Sequence, residues 1–216
     1  DIRRRCDSIV LCAPRMPEEQ LAALEHDLAP VVLINRSGDS LRSPSVSVDY
    51  ATGILALADH AFTEGHRRYA YVEGPTTSMS NSRRLEGLER FLDRRPDADV
   101  VRVRGGVNSS DGFAATEAVL ASGATIALAF NDLVAIGLLE GVRARGLSVP
   151  GDVSVAGFDD IPFSRYAGLT TATVPYERLG EEAWSRLRAL SAEEQPLDDL
   201  VLEPELHLRQ SVGPAH

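Results

Sequence analysis

The hydrophobic positions of this chain switch repeatedly between two spacings. Short apolar runs at 7–14, 31–35, 68–74, 100–104, 125–130 and 153–157 have the length and composition of strands. Extended pieces are expected at 45–49 and 171–174, and short strands near 200–203 and 206–209. Between the strands, apolar residues return every three or four positions. Leu21, Leu24 and Leu28 mark a helix over 17–28. Ile54, Leu55, Ala58, Ala61 and Phe62 mark another over 51–64, stopped by Gly65, which tolerates the left-handed conformation of a helix end. Leu85, Leu88, Phe91 and Leu92 predict a helix over 81–95, with Pro96 just past its end. Further helices are expected at 111–122, 133–145 and 177–190.

This alternation predicts an α/β fold with mostly parallel sheets and right-handed helical crossovers. Two lobes are expected if the chain crosses between them at 45–49, 171–176 and 196–200. One would hold 1–48 plus 175–199 and the other 49–174 plus 200–216. The start, "DIRRRC", reads as the last turn of a helix, and the first strand begins near residue 8. A sheet that starts this way leaves an open edge, so the N-terminal lobe is expected to be incomplete.

Composition narrows the function classes. The 216 residues are 44% hydrophobic, enough for a substantial core. The net charge of −10 argues against this chain itself gripping nucleic acid, which needs a basic surface. All 22 basic residues are arginine, which leaves no lysine for a Schiff base or a phosphate loop. No apolar run approaches the ~20 residues of a membrane span, and no signal-peptide core opens the chain, so a cytoplasmic location is expected. Cys12 sits in an apolar run and reads as core; no Cys/His cluster suggests a metal. Templates for a nucleophile elbow, a zinc protease and a dinucleotide or phosphate loop are all missing. The expectation is a protein that is not an enzyme and carries no cofactor.

Polar residues gather where strands end, and open α/β sheets bind ligands at those ends. The candidates are Asn35 and Arg36, Asn131 and Asp132, and Asp159 and Asp160. Asp132 directly precedes a helix and is expected to cap it. Asn131 offers a donor and an acceptor together, which suits neutral hydroxyls. Asp159 fits either a bidentate acceptor for hydroxyls or a turn residue; Asp160 fits the turn. Arg84, in "SMSNSRRLEGL" (78–88), fits either a donor fork for ligand oxygens or a solvated helix face. His66 reads as a connector after Gly65.

The stretches "TEGHRRYAYVEG" (63–74), "RRLEGLERFL" (83–92), "AFNDLVAIGLLEGVRARGLSVPGDVSVAGFDDI" (129–161), "LTTATVPYERLGEEA" (169–183) and "EPELHLRQS" (203–211) resemble the lactose-repressor (LacI/GalR) family. The resemblance is to that family's effector-binding, periplasmic-binding-protein-like core and covers essentially the whole chain. It implies two α/β lobes joined by three crossovers, with a small effector in the cleft. It also implies an N-terminal helix-turn-helix domain and hinge helix that this chain does not contain, and a core whose first strand, first helix and second strand are missing. Carried over by motif, the effector contacts would be Asn35, Arg36, Ser78, Ser80, Arg84, Asn131, Asp159 and Tyr176. Val107 departs from the pattern, since many sugar-reading members place a large aromatic there. The implied partners are a sugar or sugar phosphate, a second copy in a homodimer, and operator DNA through the missing domain only; no membrane is implied. The expected role is the effector sensor of a transcriptional repressor. The alternative is a secreted sugar-binding protein of a transporter.

Overall fold

The structure, a computed structural model, describes residues 6–28, 30–192 and 198–216. The helical turn expected within 1–6 lies largely outside them, as do residues 196 and 197 of the expected crossing at 196–200. In chain order the first elements are β1 (Ile9–Cys12), α1 (Glu18–Leu28), β2 (Val31–Ile34), β3 (Ser45–Val48), α2 (Tyr50–Thr63), β4 (Arg68–Glu73), α3 (Met79–Arg94) and β5 (Asp99–Arg104). There follow α4 (Ser109–Ala121), β6 (Ile126–Ala129), α5 (Asp132–Ala144), β7 (Ser154–Asp159), α6 (Pro162–Tyr166), β8 (Thr170–Thr173), α7 (Tyr176–Ser191), β9 (Leu200–Leu202) and β10 (Leu206–His207). The short α6 has no counterpart in the sequence reading. At five residues, opened by Pro162, it shows no helical repeat to detect.

Two compact units divide the chain. The first comprises Asp1–Asp49, Thr77–Ser80 and Pro175–Glu203, the second Tyr50–Thr76, Asn81–Val174 and Pro204–His216. A parallel sheet in the order β1-β2-β3-β9 forms the first. Its core joins Leu21, Val31 and Leu33 to Leu11, Met16, Leu28 and Leu41. Leu179, Ala183 and Leu187 form the buried stripe of α7, which packs against β1, β2 and β3. Two sequence expectations change here. Residues 200–202 join this unit rather than the other, because β9 pairs with β3, Val46 facing Leu200 and Val48 facing Leu202. Cys12 is exposed rather than in the core, because it ends β1 at the sheet edge.

The second unit holds six strands in the order β10-β8-β7-β6-β4-β5, all parallel except β10. One face packs α4 and α5 over Ala70, Val72, Ala127, Ala129 and Val155. These helices approach so closely that a Cβ at Gly137 would collide with the Ser109 carbonyl, which accounts for glycine there. The other face takes α2, through Ile54, Leu57, Ala58 and Ala61, and α3, through Leu88 and Phe91. Phe91 is fully buried with its ring edge-on to Phe62 and Tyr69. Burying a side chain of that kind contributes roughly 1.5–3 kcal/mol. His66 does lie in the connection between α2 and β4. It is buried, with Nδ1 at 2.7 Å from the Thr125 hydroxyl and Nε2 at 3.0 Å from the Gly213 carbonyl, tying the C-terminal segment to β6's entrance.

Candidate functional site

The carboxyl ends of β4, β6 and β7 in the second unit carry a cluster built around Arg84. Asn81, in the first turn of α3, accepts from the Tyr71 hydroxyl at 2.8 Å and the Gly74 N–H at 2.9 Å. Those two bonds pin the start of α3 to the end of β4. One turn later Arg84 points inward and is 1% exposed. Its guanidinium carbon lies 4.0 Å from the Phe158 ring centre, 4.4 Å from Tyr50 and 4.7 Å from Phe130. Nη2 is 3.9 Å from Asp159 Oδ1, an ion pair too long for a hydrogen bond. Nε and Nη1 are buried without an acceptor.

The energetics of this arrangement are lopsided. Rings offset part of the cost of desolvating a guanidinium through cation–π attraction, on the order of 2 kcal/mol each at best. Two nitrogens buried without acceptors still cost about 1–3 kcal/mol apiece. A ligand that brings oxygens to Nε and Nη1 recovers that cost. Burial pushes the Tyr50 hydroxyl up to about 12, against the pull of the Arg84 charge, so Tyr50 stays neutral.

Asp159 ends β7 at φ 117° and Asp160 follows at φ 51°, both in the left-handed region that an L-residue enters only when held there. Asp160 does fix this turn. Its Oδ1 accepts from Arg209 Nη2 at 2.7 Å, and Oδ2 lies 3.5 Å from His207 Nε2. The Asp159 side chain stays one-fifth exposed beside Arg84.

At the end of β6 the cap falls one residue earlier than expected. Asn131, not Asp132, caps α5, with Oδ1 accepting from the Val134 N–H at 2.9 Å. Its Nδ2 donates to the Val107 carbonyl at 3.0 Å, so the amide also holds the turn before α4. One N–H and one lone pair remain for other partners. Asp132 is fully buried as the first residue of α5. It accepts from the Ile161 N–H at 2.9 Å, and from the Ser164 and Thr171 hydroxyls, both at 2.6 Å. Burial pushes its carboxyl above the ordinary range while the three donors pull it back. A Cβ at Gly157 would collide with Asp132 Oδ1, so glycine there admits the carboxylate to the strand.

The remaining sequence candidates belong to the first unit. Asn35 follows β2 at φ 53°, donating to the Val46 carbonyl and accepting from the Val48 N–H at 3.2 Å. Arg36 is half-buried; Nη2 donates to the Met16 carbonyl at 3.3 Å, and Nε is buried without an acceptor. The Ser78 and Ser80 hydroxyls are 2.8 Å apart. Tyr176 opens α7 and is 56% exposed. Sequence reasoning missed the ring wall of Tyr50, Phe130 and Phe158, the bracing Asn81, and the buried role of Asp132. Among the described residues no group of three or more His, Cys, Asp or Glu is placed to hold a metal, and no helix is long and apolar enough to cross a membrane.

Residues 58–212 match the family described as periplasmic binding protein-like domain. The regulator GalR of Escherichia coli K12 is 31% identical over 98% of this chain, which spans 64% of that regulator's length. A LacI family transcriptional regulator from Enterococcus faecium, solved with bound ribose, superposes with a TM-score of 0.89 at 25% identity, covering 99% of this chain and 82% of its own. The lac repressor dimer bound to operator and an anti-inducer gives 0.87 at 26% identity, over 98% and 76%.

Proposed function

The chain belongs to the LacI family of transcriptional regulators, as their periplasmic-binding-protein-like effector core, and from that premise we propose that it senses a neutral, hydroxyl-rich small molecule, a sugar. The observation that carries the reading is Arg84, buried against three aromatic rings with Nε and Nη1 lacking acceptors beside the Asp159 carboxylate. A ring hydroxyl both accepts from the arginine and donates to the carboxylate. The rings suit the apolar face of a sugar. The Arg84 and Asp159 charges offset each other, which favours an uncharged ligand. The ribose-bound relative supports the ligand class. Asn131 contributes its remaining donor and acceptor; Asn35, Arg36, Ser78, Ser80 and Tyr176 complete the proposed contact set.

The whole regulator, in this reading, is a cytoplasmic homodimeric repressor. The ligand favours one of two conformations, and the shift in operator affinity equals its differential affinity for them. No catalysis is involved. A second reading, a phosphorylated or acidic sugar, draws support from Arg36, whose buried Nε also lacks an acceptor. A transporter's secreted sugar binder draws none from the relatives, which are regulators. The two ligand readings separate by calorimetry with D-ribose, D-galactose and D-glucose against ribose 5-phosphate and glucuronate. Binding by a neutral sugar in preference to its anionic counterparts is expected; preference for the anions overturns it.

A further inference from the structure

Asp132 is a buried charge that ligand recognition, as read above, does not use. Its two carboxylate oxygens hold different parts of the second unit. Oδ2 takes the Ile161 N–H and the Ser164 hydroxyl, both in the segment that follows Asp159 and Asp160. Oδ1 takes the Thr171 hydroxyl, which belongs to β8. The segment held by Oδ2 directly follows a strained pair, with φ 117° at Asp159 and 51° at Asp160. Such conformations are costly and persist only where surrounding contacts impose them. Asp160, through Arg209, ties the turn on one side; Asp132 ties it on the other. The placement of Asp132 follows from the sequence around it. Asn131 takes over the capping of α5, which leaves Asp132 free to turn inward. The missing side chain of Gly157 gives it room.

We infer that Asp132 is a positioning residue: through Oδ2 it sets the turn that carries Asp159, and so aims the Asp159 carboxylate alongside Arg84. The consequence for ligand binding rests on the proposed role of Arg84 and Asp159; the grip on the turn does not.

The two oxygens supply an internal control. Ser164→Ala and Thr171→Val each remove one hydroxyl bond to the same carboxylate, and both lower stability. Only the first loosens the turn. Amide hydrogen exchange of this chain, read at Ile161 and corrected for each variant's global stability, is expected to quicken about tenfold in Ser164→Ala, as for one charge-assisted hydrogen bond. Thr171→Val is expected to leave it near the parent rate. In titrations with D-ribose and D-galactose, whichever sugar the parent binds is expected to bind Ser164→Ala about tenfold more weakly and Thr171→Val unchanged. Equal exchange at Ile161 in the two variants overturns the inference, whether or not either sugar binds. So does a retained affinity in Ser164→Ala when Asp159→Ala abolishes binding. If Asp159→Ala leaves sugar binding unchanged while the Ile161 split persists, the ligand reading falls and the grip of Asp132 stands.

Discussion

Two fully buried charges in the second unit are treated in opposite ways. Asp132 has every oxygen engaged, with three short bonds to Ile161, Ser164 and Thr171. Arg84 has two nitrogens without acceptors, three aromatic rings and one carboxylate at 3.9 Å. A charge whose hydrogen bonds are all made by the fold holds the fold. A charge left short of partners by a well-packed surround is positioned for something the fold does not supply. Burial alone would rank the two residues alike; the count of satisfied groups separates them.

The largest effect that can break this contrast is on stability. Asp132→Ala removes the acceptor for three donors, two of them buried, and should cost roughly 3–5 kcal/mol in urea denaturation, the range for breaking a buried charged network. A loss under about 1 kcal/mol, the level of a surface change, would mean that the network is not structural. Next comes the ligand side. Asp159→Ala should cost roughly 2–3 kcal/mol of sugar binding by calorimetry, as a charged hydrogen bond, with circular dichroism unchanged. Full affinity in that variant would remove Asp159 from the site.

His66 sharpens the comparison as a third buried titratable group, held neutral. Burial keeps its pKa below the ordinary value of 6.5. As pH falls through that value the unfolded chain takes up the proton first, so stability is full above it and declines toward the lower native pKa. The urea midpoint should therefore drop between pH 7.5 and pH 5, and drop less in His66→Gln. An equal drop in both would assign the acid sensitivity elsewhere. The smallest effect belongs to Asn131. Asn131→Ala should cost about 1 kcal/mol as a lost cap, whereas Asp132→Asn, which caps nothing, should leave the helix start intact in amide-exchange maps.

The α/β alternation and most element boundaries were legible in hydrophobic spacing, because α2, α5 and the central strands are built on strong periodic stripes. Site chemistry was legible as residue types rather than as roles. Asn131 and Asp132 are both good capping residues, and only the register between β6 and α5 decides which one caps. Arg84 looked as suited to a solvated face as to a pocket. Yet the buried stripe of α3, Phe91 and Leu88, continues backwards at helical spacing to Arg84 and Asn81. Extending that stripe to polar residues would have shown both to be inward. The aromatic wall was harder to see. Tyr50, Phe130 and Phe158 are far apart in sequence and meet only because α2 begins where β6 and β7 end, at one edge of the second unit. Residues 200–202 were misplaced because a three-residue strand carries no sign of its partner.

The central claim is that Arg84 is kept for a ligand rather than for the fold, and Arg84→Met tests it most directly. Methionine roughly fills the volume and removes the orphaned donors. Urea denaturation and calorimetry on the same preparation, against the neutral sugar that the parent binds best, give both halves of the answer. The account predicts stability equal to or above the parent, since replacing a poorly satisfied buried charge by an apolar side chain is often neutral or stabilising, together with a loss of sugar affinity of about a hundredfold, the equivalent of roughly 3 kcal/mol. A variant that unfolds readily yet still binds the sugar at parental affinity would contradict it.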